Sequence, residues 1–300
     1  MRHVAFFYGT DTEYTSVVGD ALAETVRKEQ PVLLAVSPGR AEALSGGLDS
    51  AGVESVDVTT VGRNPSRLIP AVQGFFDAHA GGKEALVVCE PFWGGRSREE
   101  NAEVVRHEAL VNRAFGDTEA TIICPYRGDT PTGLLDDARR THPLIRHDGD
   151  PPVPSPSFTD PDRIWHSAEQ LPRPPQARTQ TMDFDARGLS AVREIVRAHA
   201  LAARLSGRRV DDLVGAVSEL AANSIRHGRG TGSLRVWAQG DAVYCEVRDR
   251  GQLQDPLAGR RKPATAAGGG WGLWLVNQLC DLVQLRAGDD GVTVRVRVDR

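Results

Sequence analysis

The proline-rich segment in the middle of the chain, residues 148–180, constrains the fold most, because it divides the sequence into two parts. It holds eight of the 18 prolines of the 300-residue chain. Proline fixes its own φ and biases the preceding residue away from helix, so a stretch this dense should not sustain regular structure. We therefore predict a linker at 148–180 between two domains, 1–147 and 181–300, each long enough to bury a core. Ile164 and Trp165, a bulky apolar pair in the linker, are expected to pin it to a neighbouring domain.

The first part alternates short apolar runs with stretches of helical periodicity. Strands are predicted at 4–8, 31–37, 55–61, 85–93 and 120–126, and helices at 14–28, 40–48, 66–80 and 98–115. Continuously apolar strands separated by helices are typical of a mostly parallel sheet that is covered on both faces. We predict a three-layer α/β domain.

The second part has a different order of elements. The pattern predicts a strand at 181–185, helices at 189–205 and 210–227, a hairpin of 233–239 with 242–249, a helix at 272–282, and a final hairpin of 283–287 with 292–298. Helices grouped on one face of an antiparallel-rich sheet make a two-layer α+β sandwich. The two parts are therefore expected to have different folds.

Composition excludes several classes of protein. No stretch approaches the roughly 18 uninterrupted apolar residues of a membrane helix. The N-terminus lacks the apolar region and cleavage site of a secretory signal, so we expect a cytoplasmic protein. The net charge of −4 offers no basic surface for direct binding of nucleic acid. The four cysteines lie far apart, without a CxxC pair or a zinc-finger spacing, which favours buried, reduced thiols.

Two motifs of the second part carry polar side chains suited to a nucleotide and its metal. Glu219 and Asn223, in SELAANSIRHG, lie four residues apart on one face of a predicted helix. A carboxylate and an amide so placed are suitable oxygen ligands for Mg²⁺, and a solvated helix face is the alternative. Asp249 and Gly251 end a strand, where the carboxylate can accept a hydrogen bond from an amino group and the glycine lets the backbone turn beside a ligand. An ordinary strand-ending turn is the alternative here.

The third motif is the glycine-rich start of the last predicted helix. Exposed amides at a helix start, preceded by a flexible chain, form a natural phosphate cradle and a mobile lid. The glycines concerned are Gly268, Gly269, Gly270 and Gly272. A flexible loop without a ligand is the alternative. Gly291 and Thr293, on the final hairpin, are candidates for the floor of an adenine pocket.

In this order, the three motifs resemble the GHKL fold, the ATP-binding fold shared by gyrase, heat-shock chaperones, histidine kinases and mismatch-repair ATPases. The compact spacing, the ExxxN helix ending in RHG, the short lid and the late hairpin look like the RsbW-type anti-sigma factors, which are serine kinases. The resemblance covers about residues 181–300. It implies ATP and Mg²⁺ as cofactors, a sigma factor and a STAS-type anti-anti-sigma factor as partners, and it favours a homodimer.

The resemblance also implies a role for each motif residue. Glu219 would be the general base toward a serine hydroxyl of a protein substrate, Asn223 would coordinate Mg²⁺, and Asp249 would accept a hydrogen bond from the adenine amino group. Gly251 would let the nucleotide approach the backbone, and Thr293 would lie near the adenine. The glycines Gly268, Gly269, Gly270 and Gly272 would form the lid and the phosphate-binding helix start.

One lid position departs from the family pattern. Trp271 stands where a family kinase often has an arginine, and tryptophan cannot stabilise a transferring phosphoryl group as a cation can. Arg260, Arg261 or Lys262, on the preceding loop, are candidate substitutes. The departure weakens the expectation of phosphate transfer more than that of ATP binding.

Features spread over the first part resemble the MEDS sensory domain, described first in regulators from methanogens and methylotrophs. They are HVAFFY at 3–8, GRNP at 62–65, CEPFWGGRS at 89–97, RHEALVNRAF at 106–115, CPY at 124–126 and THP at 141–143. The resemblance implies a RecA-like fold, although the first loop, GTDTEY, lacks a P-loop motif.

Polar and aromatic side chains at predicted strand ends form a candidate effector pocket in the first part. Ligands of open parallel sheets bind beyond the carboxyl ends of the strands. The candidates are Tyr8, Glu90, Trp93, Arg96 and Tyr126, with His107 on the following helix. Packing or internal hydrogen bonding is the alternative for each of them, and the ligand's identity stays open.

We therefore predict a switch in which an N-terminal sensor controls an ATP-binding anti-sigma domain, a serine/threonine protein kinase that phosphorylates a STAS partner. A catalytically inactive ATP-binding interaction module is the alternative, and Trp271 favours it. A sensor histidine kinase, with His107 as phosphoacceptor, is a third interpretation. It is disfavoured because His107 falls inside the α/β part rather than on a helical hairpin beside the ATPase.

Overall fold

The chain folds into two compact units, Met1–Trp165 and His166–Arg300. The structure, a computed structural model, describes residues 1–45, 52–79, 84–147, 149–166, 171–175, 179–263 and 270–300. Within these ranges, no helix is both long and apolar enough to cross a membrane.

A seven-stranded sheet is the centre of the described part of unit 1. Its strands are β1 (Arg2–Tyr8), β2 (Val32–Val36), β3 (Val53–Asp57), β4 (Ala85–Cys89), β5 (Ala120–Arg127), β6 (Leu144–His147) and β7 (Val153–Pro154). They lie in the order β3-β2-β4-β5-β1-β6-β7, with β7 antiparallel to β6 and the other neighbours parallel. Strands β2 and β4 are buried throughout, as expected of parallel strands covered on both faces.

Helices cover both faces of this sheet. They are α1 (Asp11–Arg27), α2 (Pro38–Ser45), α3 (Val58–Val61), α4 (Leu68–Ala78), α5 (Arg98–Phe115), α6 (Thr132–Thr141) and α7 (Pro161–His166). On one face, Tyr14 and Leu22 of α1 join a core that includes Phe6. On the other face, Glu108 of α5 meets His3, which points away from Phe6 because successive strand residues alternate. The three-layer α/β prediction is confirmed.

The strand predicted at 55–61 is too long. It ends at Asp57, whose Oδ1 accepts hydrogen bonds from the backbone amide of Thr59 at 2.9 Å and from its hydroxyl at 2.6 Å, while Oδ2 accepts from the Thr60 hydroxyl at 2.7 Å. An aspartate that caps in this way starts a helix, so the β-branched residues that follow form α3. The prediction also missed α6 and β6.

Regular structure continues into the proline-rich segment, contrary to the prediction that it would have none. Strand β7 and helix α7 lie within it, and Pro161 begins α7, where its missing N–H costs no hydrogen bond. The pinning role predicted for Ile164 and Trp165 is confirmed, because both are buried. Arg106 of α5 donates to the Trp165 carbonyl at 3.2 Å, and its guanidinium lies 5.2 Å from the centre of the Trp165 ring.

The described part of unit 2 is an antiparallel five-stranded sheet with helices on one face. Its strands are β8 (Gln180–Asp185), β9 (Thr231–Gln239), β10 (Ala242–Asp249), β11 (Leu282–Gly288) and β12 (Gly291–Asp299), and its helices are α8 (Leu189–Ala202), α9 (Gly207–His227) and α10 (Trp271–Leu279). The strand order is β11-β12-β10-β9-β8. Leu234, Val236 and Val243 are fully buried on the helix side of the sheet. The predicted α+β sandwich is confirmed.

All four cysteines are buried and none of them forms a disulfide bond, which confirms the prediction of buried, reduced thiols. They are Cys89, Cys124, Cys245 and Cys280. Burial raises the pKa of Cys89, Cys124 and Cys245 well above its usual value, which favours the thiol over the thiolate when no cation is bound.

Candidate functional site

Helix α9 places the predicted pair, Glu219 and Asn223, on one rim of unit 2. Its apolar residues, among them Leu213, Val217 and Leu220, are buried, which leaves Glu219 and Asn223 one turn apart at the edge of the buried stripe. The Glu219 side chain is 38% exposed. Here the predicted pair lies together on one helix face.

Arg226 lies beside this pair, although sequence analysis did not single it out. Its Nη2 donates to Asn223 Oδ1 at 3.2 Å and lies 4.0 Å from Glu219 Oε2. The signal was present in the sequence, since positions four and seven residues after Glu219 share its helix face. A cation next to a carboxylate and an amide adds a group that suits phosphate.

The start of α10 lies directly against Glu219 and Asn223. A Cβ on Gly272 would be 3.0 Å from Glu219 Oε2 and 3.2 Å from Asn223 Nδ2, so a larger residue would fill the space between the two helices. Gly270 precedes the helix with φ +84°, a conformation that favours glycine. Gly268 and Gly269, predicted to form the lid with them, lie outside the described residues. The backbone amides of the first turn of α10 are therefore next to Glu219 and Asn223.

Asp249, at the end of β10, is held in a fixed orientation. The Ser224 hydroxyl of α9 donates to Asp249 Oδ2 at 2.6 Å, and the Gly251 amide donates to Oδ1 at 2.7 Å. Gly228 and Gly251 allow this approach, because a Cβ on either would come within 2.8 Å of atoms of Asp249. Sequence analysis had predicted Asp249 and Gly251 but not Ser224, which lies one residue after Asn223.

Thr293 is not brought together with Asp249. In the β10–β12 ladder Val292 pairs with Asp249, and Thr293 pairs with Arg248. Paired residues share a face and successive residues alternate, so Thr293 lies on the face opposite to α9. It lines a cavity of about 720 Å³ there, together with Arg235, Arg286 and Arg295. The register therefore places Val292, rather than Thr293, on the side of Asp249.

Of the three cations suggested as substitutes for a lid arginine, Arg260 is buried, whereas Arg261 and Lys262 are exposed. The loop before them is tied to α10 through Asn277, whose Nδ2 donates to the Gly259 carbonyl at 2.9 Å. Trp271 begins α10, and its ring meets the Trp274 ring edge-on at 5.3 Å. An aromatic pair, not a cation, thus forms the first turn of α10.

Gly291 is the glycine of this site that tolerates substitution least. It has φ +118°, and a Cβ on it would overlap the Asp249 carbonyl oxygen. Gly291→Ala should lower the free energy of unfolding by about 2 kcal/mol or more, because an L-residue in this backbone region costs roughly 1–2 kcal/mol before the overlap is counted. Gly288→Ala, at the other end of the same turn, meets no atom within 4 Å and is the matched control. Chemical denaturation of both variants checks this, and equal stability would contradict it.

Unit 1 contains a separate cavity of about 590 Å³ at the carboxyl ends of its strands. Five residues predicted for an effector pocket line it: Tyr8, Glu90, Trp93, Arg96 and Tyr126. His107 is not among its lining residues, since its side chain is 1% exposed on α5, with Nε2 3.8 Å from Glu108 Oε1. The structure thus brings together all of the candidates except His107.

Both charged and aromatic side chains line this cavity. Burial raises the pKa of Glu90 above its usual value. The Arg96 guanidinium lies 3.4 Å from the centre of the Trp93 ring, and its Nη2 donates to the Gly62 carbonyl at 2.6 Å. Arg40, which sequence analysis missed, donates to the Tyr8 hydroxyl at 3.3 Å. It follows the end of β2, so the strand-end argument used for the other candidates would have found it.

Two known families match separate parts of the chain. Residues 2–143 match the family described as MEDS, the methanogen/methylotroph DcmR sensory domain. Residues 182–298 match the histidine kinase-like ATPase domain. The first part of the chain is therefore similar to the MEDS sensory domain and the second to the histidine kinase-like ATPase domain, and the resemblance of each part is confirmed at this level.

Two solved structures show partial similarity. The RsbU and RsbW domains of Rv1364c from Mycobacterium tuberculosis share 22% identity over 43% of this chain, with a TM-score of 0.32, and the chain spans 33% of that protein. The protein PH0250 from Pyrococcus horikoshii OT3 shares 13% identity over 53% of this chain and 88% of its own, with a TM-score of 0.34. None of the curated proteins compared with the chain matches it.

Proposed function

We propose that this protein is an ATP-dependent anti-sigma regulator that works by partner switching. In this proposal, the domain at 181–300 binds ATP with Mg²⁺, holds a sigma factor and phosphorylates a STAS-type anti-anti-sigma factor on serine. The domain at 1–147, joined to it through 148–180, senses a small molecule. The match to a histidine kinase-like ATPase domain supports ATP binding at the family level.

The observation that carries the proposal is the grouping of Glu219, Asn223 and the start of α10. The missing side chain of Gly272 leaves space beside the other two residues, and the amides of a helix N-terminus favour phosphate. Asn223 would hold Mg²⁺, an ion that prefers oxygen ligands. When bound, the ion would neutralise phosphate charge.

The remaining roles follow from the contacts of each side chain. Asp249, oriented by Ser224 and Gly251, has acceptor capacity left for the adenine amino group. Glu219 is partly exposed, so a serine of a protein partner can reach it as a general base. Arg226, beside both helix residues, would contact the phosphates.

A second candidate function is an ATP-binding interaction module without kinase activity. The aromatic pair Trp271 and Trp274 favours it, because the first turn of α10 offers no cation to a transferring phosphoryl group. A histidine kinase is disfavoured, since the imidazole of His107 is 1% exposed on α5 and so is shielded from a phosphate donor.

Calorimetry of ATP binding, with and without Mg²⁺, tests the proposal on the full chain. Asn223→Ala should weaken Mg²⁺-dependent binding by roughly 10–100-fold, the equivalent of losing a contact to a charged group worth about 1.5–3 kcal/mol. Asp211→Ala, an exposed change on the same helix, is the control and should bind as wild type does.

Incubation of the same samples with purified STAS proteins and sigma factors of the source organism separates the two candidate functions. Label on a STAS serine supports the kinase. ATP-dependent binding of a partner without transfer supports the interaction module. Absence of ATP binding in the wild type would contradict both.

A further inference from the structure

A buried cluster of four metal-ligating side chains lies in unit 1, behind the effector cavity. They are His3 of β1, Cys124 of β5, Glu108 of α5 and His142, which follows α6, and each offers one atom that can bind a metal. These atoms all lie within 4.8 Å of one another. The four residues are separated by up to 139 positions (142 − 3) in the sequence, and the fold brings them together.

The distances in the cluster approach those of a tetrahedral metal site. His142 Nε2 lies 2.9 Å and His3 Nε2 3.3 Å from Glu108 Oε2, and Cys124 Sγ lies 3.5 Å from His3 Nε2. With bonds of roughly 2.0–2.3 Å, the ligand atoms of tetrahedral Zn²⁺ are about 3.3–3.6 Å apart. Small shifts would therefore place all four atoms around one ion.

Hydrogen bonds outside the cluster fix which nitrogen of each imidazole carries its proton. His142 Nδ1 lies 2.8 Å from the Ala138 carbonyl, which can only accept, so the proton is on Nδ1. His3 Nδ1 lies 3.1 Å from Asn112 Oδ1. The Asn112 amide is oriented by donation from Nδ2 to three carbonyls, of which that of Thr141 is nearest at 2.8 Å, so its oxygen must accept from His3. In its neutral form, each imidazole therefore directs the lone pair of Nε2 toward Glu108.

Acceptors predominate at the centre of the cluster, where the Cys124 thiol, with Sγ 3.5 Å from His3 Nε2, can donate to one imidazole. Glu108 Oε1, Glu108 Oε2 and His142 Nε2 are buried, and none of the described residues makes a hydrogen bond to them. One proton between Glu108 Oε2 and His142 Nε2, which are 2.9 Å apart, would satisfy these two atoms but leave Glu108 Oε1 without a partner among the described residues. A cation at the centre would satisfy all the acceptors at once.

We propose that His3, Glu108, Cys124 and His142 bind one Zn²⁺ ion. Two imidazoles, a carboxylate and a thiolate are ligands that Zn²⁺ takes in tetrahedral sites. Asn112 and the Ala138 carbonyl orient the imidazoles from outside, as second partners of metal-bound histidines do. All four ligands come from the protein and all are buried, which is the pattern of a structural site rather than a catalytic one.

The position of the site links it to the effector cavity. Tyr126, a lining residue of that cavity, meets the His142 ring edge-on at 5.7 Å. The ion would tie α5 and the end of α6 to β1 and β5, and so fix the cavity wall. Its removal should lower the midpoint of thermal unfolding of the full chain.

Metal analysis of the full-length protein, purified without a histidine tag or chelator, tests the proposal directly. We expect one zinc per chain. After exchange for Co²⁺, we expect a thiolate-to-cobalt charge-transfer band together with the visible absorption of tetrahedral cobalt. These wild-type measurements do not depend on the folding of any variant. A wild type that takes up no zinc on equilibration, or a cobalt spectrum without the thiolate band, would overturn the proposal in favour of a hydrogen-bonded cluster.

Variants then identify the ligands. Cys124→Ser and His142→Gln should each lose the bound zinc, and Cys124→Ser should lose the charge-transfer band. Cys89→Ser is the matched control, because Cys89 is a buried thiol of the neighbouring strand β4 that is not part of the cluster. Zinc retained in Cys124→Ser, or lost equally in Cys89→Ser, would show that these four residues are not the site.

Discussion

Glu219→Gln should slow phosphate transfer to a STAS protein by roughly 10²–10⁴-fold, the usual contribution of a general base, while ATP binding stays unchanged. Glutamine has nearly the shape of glutamate but cannot take a proton from serine. The Glu219 side chain is 38% exposed, and its Oε2 lies 4.0 Å from Arg226 Nη2, a long ion pair. Exposed pairs of this kind contribute about 0–1 kcal/mol, so the substitution should leave the fold intact.

The measurement is single-turnover transfer of labelled phosphate, paired with calorimetry of ATP binding on the same protein. Glu194→Gln, an exposed change on α8, is the matched control and should behave as wild type. Transfer at the wild-type rate in Glu219→Gln would show that Glu219 is not the base. Loss of ATP binding together with transfer would assign Glu219 to the metal or phosphates instead.

The helical part of the candidate nucleotide site was predictable, because its two residues lie on one helix. Glu219 and Asn223 are four residues apart, and any α-helix places such residues on one face. The position of Thr293 was not predictable in the same way. A shift of one residue in strand register moves every side chain of the strand to the other face of the sheet. The register of β12 is set by its pairing with β10, which the sequence does not show.

The α/β fold of unit 1 followed from its apolar runs, but its details depended on side-chain hydrogen bonds. Asp57 ends a strand whose β-branched continuation, residues 58–61, resembles strand in sequence. Similarly, α7 forms in the proline-rich segment because Trp165 is buried against Arg106. Such tertiary contacts outweigh local preference, and no local pattern contains them.

The cluster around Glu108 lay beyond sequence reasoning for a stronger reason. Cysteine spacing predicts metal sites when the ligands are close in the chain, and no such spacing surrounds Cys124. The four residues of the cluster come from two strands, one helix and the residue after another helix, which meet only through the order of strands in the sheet.

Asp249→Asn should remove the preference of the protein for ATP over inosine triphosphate, which carries a carbonyl oxygen in place of the adenine amino group. In the wild type, the Asp249 carboxylate would accept a hydrogen bond from the adenine amino group of ATP. With inosine triphosphate, the carboxylate would face the carbonyl oxygen, and neither group can donate a hydrogen bond. An unpaired polar group in a binding site costs about 1–3 kcal/mol, so the wild type should prefer ATP by roughly 5–150-fold. In the variant, the asparagine amide can donate to the carbonyl oxygen, and the two affinities should become similar.

The contacts of Asp249 make this substitution a test of recognition rather than of folding. In the variant, asparagine Oδ1 can still accept from the Gly251 amide. The Ser224 hydroxyl, which donates to Asp249 Oδ2 in the wild type, can rotate and accept from the asparagine amide instead. Thermal unfolding should therefore change little, and Asp290→Asn, at the exposed β11–β12 turn, serves as the charge-matched control. Competition binding with the two nucleotides gives the ratio. A ratio that is the same in wild type and Asp249→Asn, with both folded, would mean that the adenine amino group is recognised elsewhere.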